Sequence, residues 1–99
     1  VPPKPTPPPN TWATGDPWHA HPLSPDAPPY AHVAQHAAAT IHTHLTATGT
    51  SLRTAATQAG VDHGTLSRVI AGNTVPDIAT LAALADALDI DIWPTRRPS

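Results

Sequence analysis

Ser51-Leu-Arg-Thr-Ala-Ala-Thr-Gln-Ala-Gly-Val-Asp-His-Gly-Thr-Leu-Ser-Arg-Val-Ile-Ala-Gly72 is the stretch on which the reading of the whole chain turns. Ser51 can cap a helix over 52–59, and Gly60 can close it in the left-handed region. Asp62 and Gly72 do the same for a helix over 63–71. The connection Gly60-Val61-Asp62 is too short for two helices lying side by side, so they must cross. Ala56 is small where the second helix crosses the first closely, Val61 is apolar and plugs the gap, and Leu66, Val69 and Ile70 turn the second helix inward. This is the grammar of a helix-turn-helix, whose outer helical face can enter a DNA major groove.

On either side the pattern stays helical. From Tyr30, Val33, Ala37, Ile41 and Leu45 recur at every fourth position, widened by Ala34 and Ala38, until Gly49 ends the segment. Downstream, Pro76-Asp77 opens a helix with an expected buried face of Ile78, Leu81, Leu84, Ala85 and Leu88. Ile90, Ile92 and Trp93 then read as a short closing element stopped by Pro94. No stretch alternates with period two. The expected fold is all-α, with five short helices over residues 30–94 and a short basic tail, 95–99.

The remaining third is different. Of 14 prolines, all but Pro76, Pro94 and Pro98 fall in residues 1–29, and such density excludes helices and central strands. That segment reads as a disordered, flexible arm, partly polyproline II. Trp12 and Trp18 are unusual in a solvated linker. The favoured reading is that they fold back on the domain or simply reflect composition; the sharper one is a partner-binding segment that orders on contact. The residues left over make a domain of roughly seventy, near the lower limit for folding on a hydrophobic core alone.

With no cysteine, disulfides, thiolate-bound zinc and thiol catalysis are excluded. Small secreted domains usually need such staples, which favours a cytoplasmic setting, and no apolar run is long enough for a membrane. The chain has 5 Lys+Arg against 7 Asp+Glu, a formal net charge of −2, and no glutamate. Bulk charge would not hold it to nucleic acid.

Residues 51–93 resemble the helix-turn-helix of the phage-repressor and Cro-like family. The resemblance runs through the two capped helices, Pro76, Thr80 to Leu88, and Ile90-Asp91-Ile92; residues 30–49 share only the helical pattern. It implies a regulator that binds double-stranded operator DNA as a homodimer. On that pattern His63, Gly64 and Arg68 face base edges, and Thr65 and Ser67 face the groove wall or phosphates. Arg53, Asn73, Thr74 and the pair Arg96-Arg97 would supply phosphate contacts. Arg68 can donate two hydrogen bonds to a guanine, worth about 1–3 kcal/mol of discrimination. The chain departs from the family at Leu52, often a phosphate-anchoring Gln, and at Ile70 and Ala71, where polar residues are common. Ile92 and Trp93 are expected either to form an apolar dimer patch or to cap the core.

Seven histidines are present. His32 and His36 are one turn apart, a spacing that can hold a metal, but no third ligand accompanies them. Surface histidines are expected rather than a zinc or nickel site, with added positive charge below pH 6 as a middle course. No catalytic motif, phosphate-cradling loop or acidic pair is evident, so neither an enzyme nor a cofactor is expected. The alternatives are a protein-interaction module with the proline-tryptophan arm as its binding element, or the antitoxin of a toxin–antitoxin pair.

Overall fold

A computed structural model describes residues 6–93. Four α-helices follow one another: α1 Pro29–Thr48, α2 Leu52–Ala59, α3 His63–Ala71 and α4 Ile78–Leu88, with short 3-10 turns at Pro9–Trp12 and Trp18–Ala20 ahead of them. No strand occurs among the described residues. The helix ends sit where local chemistry places them. Ser51 Oγ accepts from the Thr54 amide at 3.1 Å, Asp62 Oδ2 from the Thr65 amide at 3.1 Å, and Asp77 Oδ1 from the Thr80 amide at 2.6 Å. Gly60 closes α2 at φ 69° and Gly72 closes α3 at φ 74°, a region in which a Cβ collides with the following carbonyl.

The main core joins all four helices. Ala37, Ile41 and Leu45 of α1 meet Ala55 and Ala56 of α2, Leu66 and Val69 of α3, Leu81, Leu84 and Leu88 of α4, and Ile92 beyond it. Leu52, Val61, Ile70 and Ile90 are partly buried against this cluster. α2 packs on α4 and α1 on α3, so α3 is held from behind and its far side faces out.

Three expectations are corrected. Ile78 is 74 % exposed rather than buried, because it is the first residue of α4 and lies one turn before the helix reaches the core. Residues 90–93 form no fifth helix. Asp89 adopts the left-handed conformation at φ 51°, the Asp91 carboxylate takes the Trp93 amide at 3.3 Å, and Pro94 disfavours helix at the residue before it.

The third correction concerns the arm, which over residues 6–28 is docked on the helices rather than free. Trp18 is 5 % exposed and seated on Ala34 and Ala38 of α1, with Ala13 and Leu23 around it. Those two alanines therefore serve the arm instead of widening the main core. The Trp18 indole N–H donates to the Ile70 carbonyl at 2.7 Å, and Gln35 Nε2 donates to the carbonyls of Trp18 and His21 at 2.9 and 2.7 Å. Tyr30 donates its hydroxyl to Pro7 and packs edge-on against Trp12. Proline prevents the arm from forming its own ladder, but it does not prevent a large aromatic from using someone else's surface. Residues 1–5, the basic tail 95–99 and with it Arg96-Arg97 lie outside the described residues.

Candidate nucleic-acid interface

The outward side of α3 carries the residues singled out from sequence. His63, Ser67 and Arg68 are exposed, while Gly64 and Thr65 are half-buried in the first turn. Positions 64 and 68 are one turn apart, and the structure uses that spacing. The Arg68 guanidinium folds back along the helix and donates from Nη2 to Thr65 Oγ1 at 3.3 Å. A Cβ on Gly64 would come 3.2 Å from Arg68 Nη1 and 3.0 Å from Asp62 Oδ2. The missing side chain at 64 thus leaves room for the guanidinium, a role besides the close approach expected of it. Arg68, Thr65 and the Asp62 cap form one cluster at the N-terminal end of α3.

The phosphate-contact candidates are more scattered. Arg53 is exposed on the first turn of α2, and Thr74 is half-buried after α3. Asn73 is exposed, but its Oδ1 already accepts from Asn10 Nδ2 of the arm at 2.7 Å. Asn10 also donates through its amide to the Gly72 carbonyl at 3.0 Å and through its side chain to the Ala71 carbonyl at 3.3 Å. Among the described residues the formal charges are Arg53 and Arg68 against seven aspartates.

The arm borders this surface. An open cleft of about 670 Å³ has Leu52, Ser67, Ile70 and Ala71 on one wall. On the other stand Asn10, Ala13 and the loop Gly15–His19. Two of the three departures from the expected family pattern acquire a structural reason here. Leu52 and Ile70 are partly buried against the core, and the Ile70 and Ala71 carbonyls are occupied by Trp18 and Asn10. Sequence reasoning gives no sign of Asn10; for Trp18 it favours a ring folded back on the domain, or one that merely reflects composition, over a partner-binding segment. The signal that could have paired them was the Ala34/Ala38 seat together with an unexplained tryptophan.

The histidines form no evident metal site: among the described residues no group of three or more His, Cys, Asp or Glu could hold an ion. His19 of the arm instead lies against His42 of α1, with ring centroids 4.7 Å apart. Burial, and secondarily repulsion from His42, hold the His19 pKa below its ordinary value. Ile92 belongs to the core at 0 % exposure, whereas Trp93 is 43 % exposed. Trp93 borders an apolar groove with Tyr30, Val33, Val75, Pro76 and Ile78.

Two crossed, individually capped helices with the second helix outward define a helix-turn-helix, the element that presents a helix to the DNA major groove. A helix-turn-helix family model matches residues 45–92. Over that segment the chain is similar to the helix-turn-helix domains of the phage-repressor and Cro-like type, a family of DNA-binding transcription regulators. No curated protein and no solved structure matches the chain. None of the described helices is long and apolar enough to cross a membrane.

Proposed function

We propose that this protein is a sequence-specific transcriptional repressor that occupies an operator through α3. What supports this most is the outward placement of His63, Ser67 and Arg68 on a short helix fixed at both ends by Asp62 and Gly72. A helix so held can be laid in a groove without losing conformational entropy at the moment of binding. Arg68 leaves its weak, exposed bond to Thr65 and reads a guanine; His63 reads or anchors beside it, and Gly64 admits the close approach. Ser67 and Thr65 face the groove wall. Arg53, Asn73 and Thr74, with the amides at the starts of α2 and α3, take phosphates.

With two arginines over the described residues, one protomer gains little from charge. A homodimer doubles the contacts and reads an inverted repeat, with half-sites about 34–36 Å apart. The exposed face around Ile78 and Trp93 is the surface we assign to that dimer. A Trp93→Ala protein that stays folded and dimeric would end this assignment.

The test is retention of genomic fragments at several salt concentrations, followed by sequencing. Recovery of an inverted repeat supports the reading, and Arg68→Ala should then weaken binding about 5- to 150-fold and relax one base position. Retention without a motif, falling steeply with salt, would leave only non-specific affinity. The excess of aspartates favours one second reading, a protein-interaction module that uses this fold without DNA. It predicts no retained DNA even at low salt, and partner binding indifferent to Arg68→Ala.

A further inference from the structure

We propose that the arm is a self-docked latch which competes with the DNA duplex for the flank of α3, keeping the protein at low affinity until the arm is displaced. The inference rests on the reading that α3 enters a major groove.

The argument starts from dimensions. An α-helix with its side chains is about 10–12 Å across, and the major groove is about 12 Å wide. A helix in the groove therefore fills it, and whatever stands beside that helix at the same level meets a sugar-phosphate wall. Beside α3, level with Ser67 and Ala71, stands the arm loop Gly15–His19. The same loop faces Leu52, the first residue of α2, across the cleft. The space a phosphate strand needs on this flank is bounded by protein on both sides.

Charge acts in the same direction. Asp16 lines the cleft, so a phosphate entering it meets a carboxylate. Asn73, one of the few polar groups on this side, accepts from Asn10 Nδ2 on its Oδ1, which ties the arm to the end of α3. The closed state therefore blocks the flank and opposes its ligand electrostatically.

The latch is held by a small number of identifiable bonds. Trp18 is the plug, buried on Ala34 and Ala38 with its N–H on Ile70. Asn10 is the hasp, with bonds to Gly72, Ala71 and Asn73. None of these ties lies within the main core, which is built from α1 to α4 and Ile92. The arm can leave while the helix-turn-helix keeps its shape. An affinity measured on the whole population is then the open-state affinity reduced by the open fraction.

The experiment uses the full chain and a mixed-sequence duplex of thirty base pairs or so at low salt, the regime in which non-specific contacts are strongest. Trp18→Ala should bind at least tenfold tighter than the parent, and Asp16→Asn severalfold tighter, with helical circular dichroism retained. As a second measurement independent of losing Trp18, a protein carrying Asn10→Cys and Asn73→Cys is joined by a short bis-maleimide, which adds each thiol across a C=C bond. The chain has no other cysteine to interfere. The joined protein should bind at least tenfold more weakly than the same protein unjoined. Equal binding by joined and unjoined forms, or unchanged binding by both Trp18→Ala and Asp16→Asn, overturns the latch. If that binding is still lost with Arg68→Ala, the DNA reading survives the latch's failure. No binding by any form, open or closed, overturns both.

Discussion

Gly72 carries two constraints at once, and a single methyl group tests both. Its φ of 74° penalises any side chain, and an ideal Cβ there would stand 2.5 Å from Cε2 and 2.7 Å from Cδ2 of Trp18. Gly60 provides the comparison: φ is 69°, and nothing lies within 4 Å of its ideal Cβ. Gly60→Ala should therefore cost only left-handed strain, about 1–2 kcal/mol. Gly72→Ala adds the displacement of an indole. A tryptophan buries about 150–250 Å², which at about 25 cal/mol per Å² gives about 4–6 kcal/mol as an upper bound. If the ring keeps half of its burial, the total for Gly72→Ala comes to about 3–5 kcal/mol. The assay is urea unfolding followed by circular dichroism, with both variants made again in a Trp18→Ala background. There the two glycine substitutions should cost the same, leaving a coupling of about 2 kcal/mol between positions 18 and 72. Equal costs for Gly60→Ala and Gly72→Ala in the parent would refute the docked tryptophan.

Burial predicts a contrast within α4: Leu84→Ala, at 0 % exposure, should cost about 2–5 kcal/mol, whereas Ile78→Ser, at 74 % exposure, should stay within about 0.5 kcal/mol in the same denaturation at protein concentrations that keep the chain monomeric. The Thr80 amide on its carboxylate, aided by the Thr80 hydroxyl, holds the Asp77 pKa down. A depressed carboxylate pKa stabilises the fold above the unfolded-state value and loses that contribution as pH falls through the folded one. The stability gap between the parent and Asp77→Ala should accordingly close in acid, and a gap constant from neutral pH to acid would contradict it. For His19 the base is the depressed group, so the free arm takes up the proton first. Arm docking should be complete above about pH 6.5 and weaken below it. Repulsion from the neighbouring His42 ring adds to the effect. Tryptophan emission followed from pH 8 to 5 reports the release, and an unchanged profile in His19→Gln would assign it elsewhere.

The readable parts of this fold are those specified within a few residues. Ser51, Gly60, Asp62 and Gly72 mark the ends of α2 and α3 through bonds to amides three residues away or through their own φ, and the observed boundaries coincide with them. The every-fourth spacing of Ala37, Ile41 and Leu45 likewise locates the face of α1. Ile78 was misread because a helical pattern gives the direction of a side chain, not whether a neighbour reaches that far along the axis. The docked arm was harder still. Trp18 finds Ile70 across 52 residues, and Asn10 finds Asn73 across 63. No periodicity joins such pairs, and proline density argues about backbone hydrogen bonds, leaving open what an indole will find. At the interface, the helix bearing Arg68 was legible, but its resting contact with Thr65 over the bare Gly64 was not.

The sequence separations in the arm's contacts also set an order of events during synthesis. The seat for Trp18 needs Ala34, Ala38, Ile70 and Gly72, all made after it. At about 5–20 residues per second, the 52 residues between Trp18 and Ile70 take about 3–10 s to appear. Through that interval the arm has been made while its own binding surface does not yet exist, and it leaves the ribosome ahead of that surface. Its tryptophans meet solvent, and any protein waiting at the ribosome, before they meet the helices they belong to.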